Sequence, residues 1–242
     1  MKKDPRDRIA DLFAAGSHDL TPASARHAAT VLFAPVSRDP EVTRLCASVL
    51  SDAELRRGDR FVREYDRAQF QQRRAFRRFC GATVLGSSRP LWQIVFEETE
   101  NGRPYISDLP DVWFSFSSCR FGFLGAWSST HGIGVDIEDQ TKYLEALDLA
   151  HRFFSGAEAK AVEGVEGLER LRTFFQFWSF KEAALKSIGE GLPFGLDAFQ
   201  FELTPNLCVV HAPPEHGGPE QFDAHVIGGT GNCAALVIRS LA

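Results

Sequence analysis

Apolar positions along the chain recur in two rhythms. Ala29–Val36 is a short β-rich run and the first strand candidate. Ahead of it, residues 1–28 are largely polar, with one amphipathic helix predicted around Ile9–Ala15. Ser51-Asp-Ala-Glu54 has the form of a helix start, with Ser at the N-cap and Glu at the third helical position. From Glu54 to Leu85 the chain is charged and periodic, which predicts one or two helices, and Gly86-Ser-Ser-Arg-Pro90 breaks them. Strand-like runs follow at Leu91–Glu97, Val112–Ser117 and Phe121–Trp127, the first two separated by the turn Glu100-Asn-Gly-Arg-Pro104. Gly132-Ile-Gly-Val-Asp-Ile137 is a further apolar run, ending in carboxylates. Helical spacing then dominates from Tyr143 to Ile188, with Gly189 and Gly191 as the stop. The tail returns to strands at Ala198–Leu203, Leu207–His211, Phe222–Ile227 and Cys233–Arg239.

Strand, helix, strands, and then the same again: this order predicts an α+β fold of two halves meeting near residue 129. The expected organisation is an N-terminal extension (1–28), an N-terminal half (29–128) and a C-terminal half (129–242). A crevice between two such halves is a common ligand site.

Composition narrows the class. The 242 residues are 44% hydrophobic and 24% charged, an ordinary globular profile. The net charge of −5 gives no global basic field for nucleic acid. No stretch reaches the roughly 18 apolar residues of a membrane span, and MKKDPRDRIADLF lacks the apolar core of a signal peptide. Five scattered cysteines without a CxxC pair predict reduced thiols in a cytoplasm, not a disulfide framework or a zinc cage. One Met against 21 Phe predicts a Phe-rich core.

Two segments could carry chemistry. In Gly134-Val-Asp136-Ile-Glu138-Asp139, strand alternation puts Asp136 and Glu138 on one face, with Val135 and Ile137 buried on the other. Paired carboxylates on an apolar strand suit a hard divalent cation such as Mg²⁺, or simply a strand end reaching solvent. In Phe174-Phe-Gln-Phe-Trp178-Ser-Phe-Lys181-Glu182-Ala-Ala-Leu-Lys186, helical spacing stacks Trp178, Glu182 and Lys186 on one face. Glu182 and Lys186 read either as an exposed ion pair or as a metal ligand or base beside a phosphate-gripping lysine. Scattered arginines (Arg57, Arg73, Arg74, Arg77, Arg78 and Arg103) could fork onto phosphate, or form a solvated face.

The arrangement of these pieces decides among them. G-V-D-I-E, then Arg152-Phe-Phe-Ser155, then F-W-S-F-K-E-A-A-L-K-S-I-G and Gly191-Leu192 resembles the Sfp-type 4′-phosphopantetheinyl transferase superfamily. Gly102-Arg-Pro-Tyr and Asp108-Leu-Pro-Asp-Val-Trp-Phe-Ser-Phe-Ser look like that family's run before its central strand. The resemblance covers roughly residues 50–203. It implies a monomer of two pseudo-symmetric α+β halves, each a small, mostly antiparallel sheet packed with helices, with coenzyme A between them. It implies transfer of the phosphopantetheine arm of coenzyme A to a serine of an acyl or peptidyl carrier protein, with release of 3′,5′-ADP. By the same resemblance Asp136, Glu138 and Glu182 hold Mg²⁺, Glu182 is the candidate base, and Lys186 contacts phosphate. Arg103 matches a basic residue near the adenine, and Arg57 with Arg73 or Arg77 matches the N-terminal phosphate contacts.

One position departs from the pattern. Ser117-Ser118-Cys119 stands where the family reads S-H-S, so Ser118 replaces a histidine that contacts the 3′-phosphate. Ser117 and Ser118 remain expected coenzyme A contacts. Weaker or rearranged hold on that phosphate and a relaxed preference for it are expected, with Arg120 as the nearest compensating cation. Leu192, Phe194 and Leu196, after the catalytic helix, are expected either to dock the acidic carrier or to pack as an ordinary loop. The alternatives are a non-catalytic carrier-binding protein on the same scaffold, and a different Mg²⁺-dependent phosphodiesterase.

Overall fold

The computed structural model describes residues 6–86, 89–142 and 144–241. Residues 1–5 of the expected extension, Ser87 and Ser88 of the expected break, and Tyr143 lie outside it. In chain order come α1 (Asp7–Gly16), β1 (His18–Asp19), β2 (Thr30–Pro35), α2 (Pro40–Ala47), α3 (Asp52–Gly58), α4 (Glu64–Leu85), β3 (Glu97–Glu98), β4 (Pro104–Tyr105), β5 (Trp113–Cys119), β6 (Gly122–Ser128) and β7 (His131–Glu138). Then follow α5 (Ala146–Phe153), α6 (Gly156–Glu163), α7 (Gly167–Ile188), β8 (Gln200–Glu202), β9 (Cys208–His211), β10 (Phe222–Val226) and β11 (Cys233–Ser240).

The two halves are built alike. The first carries a sheet in the order β1-β2-β6-β5, the second a sheet in the order β10-β11-β7. All pairings in both are antiparallel. Each sheet is covered on one face by a 22-residue helix, α4 or α7. Phe114 and Phe123 point to α4 with Phe76 and Cys80, while Ala235 and Val237 point to α7 with Phe174 and Leu185. The opposite faces meet: Val31, Leu124 and Ala126 of one sheet pack on Ile133, Val135, Ile137 and Leu236 of the other. The fold is therefore α+β in four layers, helix–sheet–sheet–helix, and the core is rich in phenylalanine as the composition suggests.

Residues 6–28 do not hang off this body. Ile9 and Phe13 of α1 are buried, Phe13 lies 5.7 Å from Phe76, and β1 adds to the edge of the first sheet. Leu91–Glu97, expected as a strand, instead forms a 3₁₀ turn over Leu91–Gln93 and joins the two-residue strand β3. Its buried residues, Leu91 and Ile94, are three apart, which suits a helical turn better than a pleated strand.

Candidate active site

The site is assembled where β5, β7 and α7 meet. β7 presents Gly132, Gly134, Asp136 and Glu138 to α7. A Cβ on Gly134 would lie 1.8 Å from the Ala183 carbonyl oxygen, and one on Gly132 would lie 2.5 Å from that of Ser187. Only hydrogen at these positions lets the helix backbone settle against the strand. That contact sets the depth at which Glu182 and Lys186 approach Asp136.

β5 and β7 are edge strands of different sheets and do not pair through their backbones. Serines join them instead. Ser115 Oγ accepts from the Val135 N–H at 3.0 Å, and Ser117 Oγ accepts from the Ile137 N–H at 3.3 Å. Ser117 Oγ also donates to Asp136 Oδ1 at 2.8 Å. Ser117 thus satisfies one edge amide and orients a carboxylate.

Asp136 is 4% exposed. Its Oδ1 accepts from Ser117 and, at 2.8 Å, from Lys186 Nζ, which also donates to the Val135 carbonyl at 3.1 Å. Lys186 Nζ lies 4.0 Å from Glu182 Oε2, so one ammonium spans both carboxylates. Glu138 points the same way and pairs with Lys142 at 3.0 Å. Burial pushes the Glu182 carboxyl above the usual carboxylate range; Lys186 opposes the rise, and Asp136 and Glu138 add to it.

Asp136 and Glu182 therefore converge on Lys186, with Glu138 and its partner Lys142 at the end of the same strand. Among the described residues no three His, Cys, Asp or Glu side chains form a ready-made cage; Lys186 Nζ lies 2.8 Å from Asp136 and 4.0 Å from Glu182. The donor set nevertheless fits a hard divalent cation. Asp136 Oδ2 is buried without a hydrogen-bond partner, a costly state that an oxygen-seeking cation relieves.

A cleft of about 250 Å³ opens beside this group, between the halves. Glu182, Lys186 and Leu185 of α7 form one wall, and Phe114, Ser115 and Phe116 of β5 with Arg77 of α4 form the other. Asn101–Pro104 and Gly189–Gly191 edge it. Gly189 ends α7 in the left-handed region (φ 77°), turning the chain along the cleft. Asn101 Nδ2 donates to Glu190 Oε2 at 2.8 Å across the rim.

The remaining expected residues divide. Arg103 lines the cleft, its guanidinium 4.2 Å from the Trp113 ring centroid. Arg77 lines it too, partly buried, its ion pair with Glu98 3.6 Å long; burial, then Arg74 and Arg73, bring its guanidinium down to about 10. Arg73 and Ser118 lie in a separate pocket on the α4 side of β5, with Arg57 nearby. Arg120 turns from Ser118 to Asp139, at 2.7 Å, and so does not replace the missing histidine. Leu196 is buried in the C-terminal core and cannot dock a partner. Phe194 is half-buried, 5.7 Å from His216, and the Leu192 side chain lies outside the described residues. Sequence reading missed Asn101, Glu190, Trp113 and the two β7 glycines. The glycines were findable, since they share parity with Asp136 and Glu138.

Residues 132–222 match the family described as the 4′-phosphopantetheinyl transferase superfamily. A protein of Synechocystis sp. named as a putative 4′-phosphopantetheinyl transferase is 34% identical over 174 residues, 70% of this chain and 68% of its own length. The chain belongs to the 4′-phosphopantetheinyl transferase superfamily. Within that superfamily it is also similar to the 4′-phosphopantetheinyl transferase Sfp of Bacillus subtilis, 38% identical over 124 residues (51% of this chain, 54% of the relative). HetI of Nostoc sp., likewise named a 4′-phosphopantetheinyl transferase, is 30% identical over 162 residues, 66% of this chain and 67% of its own. The match thus spans about half of the Bacillus protein and about two thirds of the cyanobacterial ones. The expectation of a transferase of this family holds.

Proposed function

We propose that the chain transfers the 4′-phosphopantetheine arm of coenzyme A to a serine of an acyl or peptidyl carrier protein, in a Mg²⁺-dependent reaction that releases 3′,5′-ADP. The observation that carries this reading is the convergence of Asp136 on β7 with Glu182 and Lys186 on α7, at the wall of a cleft that also holds Arg77 and Arg103. Membership of a transferase superfamily supports it.

Asp136, Glu138 and Glu182 would hold the divalent cation, which when bound neutralises charge on the diphosphate. Arg77 and Arg103 offer planar forks to phosphate oxygens in the cleft. The serine oxygen bonds to the β-phosphorus as that phosphorus loses its bond to the bridging oxygen. No covalent enzyme intermediate is needed, so positioning and charge do the catalytic work. Glu182 takes the serine proton, helped by a carboxyl already pushed up by burial. Lys186 faces the charge that develops on the leaving phosphate. Five free thiols, four of them buried, support a reducing, cytoplasmic setting. The enzyme would act as a monomer.

Mass spectrometry of an apo-carrier protein incubated with this protein, coenzyme A and Mg²⁺ tests the proposal. One phosphopantetheine is gained with the wild type. Asp136→Asn and Glu182→Gln slow the gain by about a hundred- to ten-thousand-fold. A carrier that is bound but never modified contradicts the transferase and points to the carrier-binding alternative. Coenzyme A hydrolysed without a carrier points to a phosphodiesterase.

A further inference from the structure

The chain as a whole is acidic, with 32 Asp and Glu against 27 Lys and Arg. Residues 56–67 reverse that sign: Arg56, Arg57, Arg60, Arg63 and Arg67 stand against Asp59, Glu64 and Asp66, with no lysine. They form the end of α3, the loop after it and the first turn of α4. Asp59 is taken by Arg67 at 3.9 Å. Arg60, Arg63 and the nearby Arg38 are exposed and, among the described residues, form no ion pair.

The same surface carries apolar side chains that the fold leaves uncovered. Of the nine large hydrophobic side chains exposed among the described residues, four are here: Phe61, Val62, Tyr65 and Phe121, with Val62 99% exposed. Hydrogen bonds fix this loop and helix start against the tip of the β5–β6 hairpin. The Tyr65 hydroxyl donates to the Arg120 carbonyl at 2.8 Å, and Gln69 Nε2 donates to that of Cys119 at 3.1 Å. Val36, Arg38, Tyr65, Arg120 and Phe121 wall a shallow hollow of about 430 Å³. The face ends at Arg120, whose ion pair with Asp139 sets it beside Glu138, the last residue of β7.

Such a face fits a partner that is acidic and offers apolar side chains of its own. Phe, Tyr and Arg are residues that protein interfaces favour, while lysine, the equal of arginine on an anionic lipid surface, is missing from residues 56–67. We infer that the face formed by Arg38, Arg60, Val62, Arg63 and Phe121 docks an acidic surface of the protein that presents the acceptor serine. The inference rests on the transferase reading and deepens it. It moves docking from the loop after α7, where Leu196 is buried, to the hairpin tip of the N-terminal half, beside the acid end of β7.

Steady-state transfer by the full chain to an apo-acyl carrier protein, with carrier and coenzyme A varied in turn, tests this. The double variant Arg60→Glu with Arg63→Glu should raise the KM for the carrier by about tenfold or more, since two reversed charges oppose docking, and leave kcat and the KM for coenzyme A unchanged. Val62→Asp, at a side chain open to solvent, should act the same way. Arg172→Glu, an exposed reversal on α7 of the other half, should leave the carrier KM unchanged, which separates local from net charge. An unchanged carrier KM in the double variant, an equal rise in Arg172→Glu, or a rise confined to the KM for coenzyme A overturns the docking face and leaves the transferase standing. Binding to phosphatidylglycerol vesicles that the double variant abolishes, with the carrier KM unmoved, assigns the face to a membrane and equally overturns it. A wild type that modifies no carrier removes the transferase reading, and this inference with it.

Discussion

Asp136 shows how one buried carboxylate is held and aimed. Its Oδ1 receives both a hydroxyl and an ammonium, while Oδ2 is left bare. Ser117 matters twice, since its oxygen also receives the Ile137 N–H. Ser117→Ala should therefore destabilise the fold by about 1–3 kcal/mol, the cost of leaving buried polar groups unpaired. Urea unfolding checks this, and a variant as stable as wild type would deny the serine its structural role. Strand alternation was enough to put Asp136 and Glu138 on one face, and helical spacing to align Glu182 with Lys186. Ser117's partner was not legible, because it sits on an edge strand of the other sheet. The choice between Arg73 and Arg77 was equally closed to sequence. Both project from one face of α4, and only the register of β5 sends one to Ser118 and the other to the cleft.

At the scale of elements, the approach of α7 to β7 controls the site. Gly134→Ala puts a methyl group into the Ala183 carbonyl, which is backbone and cannot swing aside. The expected loss is about 3 kcal/mol, at the upper end of overpacking costs, together with loss of transfer as Glu182 and Lys186 are levered from Asp136. Thermal unfolding and the carrier assay, run together, check it. The start of α3 makes a second case. Ser51 and Glu54 form the capping box that the sequence predicts, and Glu54 also pairs with Arg74 and with the buried Arg78. Burial alone would raise its carboxyl, but the Ser51 amide and the two arginines outweigh that and hold it below its ordinary value of 4.5. The resulting stability is present above pH 4.5 and is lost as pH falls through the lower folded-state value. Glu54→Gln should therefore be less stable than wild type at neutral pH, and the gap should close on acidification. A gap that does not change with pH would mean that the charge contributes nothing.

Over the whole molecule, two sheet-and-helix halves bury a common face and leave a cleft at the β5–β7 seam. The doubled pattern of strand and helix made the two halves legible, and the resemblance named the family. Of the two readings of the loop after α7, Leu196 follows packing, for a reason seen only in three dimensions. Lys181, fully buried, pairs with Glu158 at 2.8 Å and donates to the carbonyls of Leu196 at 3.0 Å and Phe199 at 2.5 Å. The loop is thereby tied to the core, and Leu196 faces inward. In sequence Lys181 is simply the neighbour of Glu182, with nothing to mark it as an internal anchor.

The central claim is that acids from β7 and α7 form one cation site beside the cleft. Electron paramagnetic resonance of Mn²⁺ titrated into the full chain with coenzyme A reads it most directly, since bound and free ion differ in signal. One bound ion per wild-type chain is predicted, lost in both Asp136→Asn and Glu182→Gln. Undiminished binding in either variant would contradict a site shared between strand and helix.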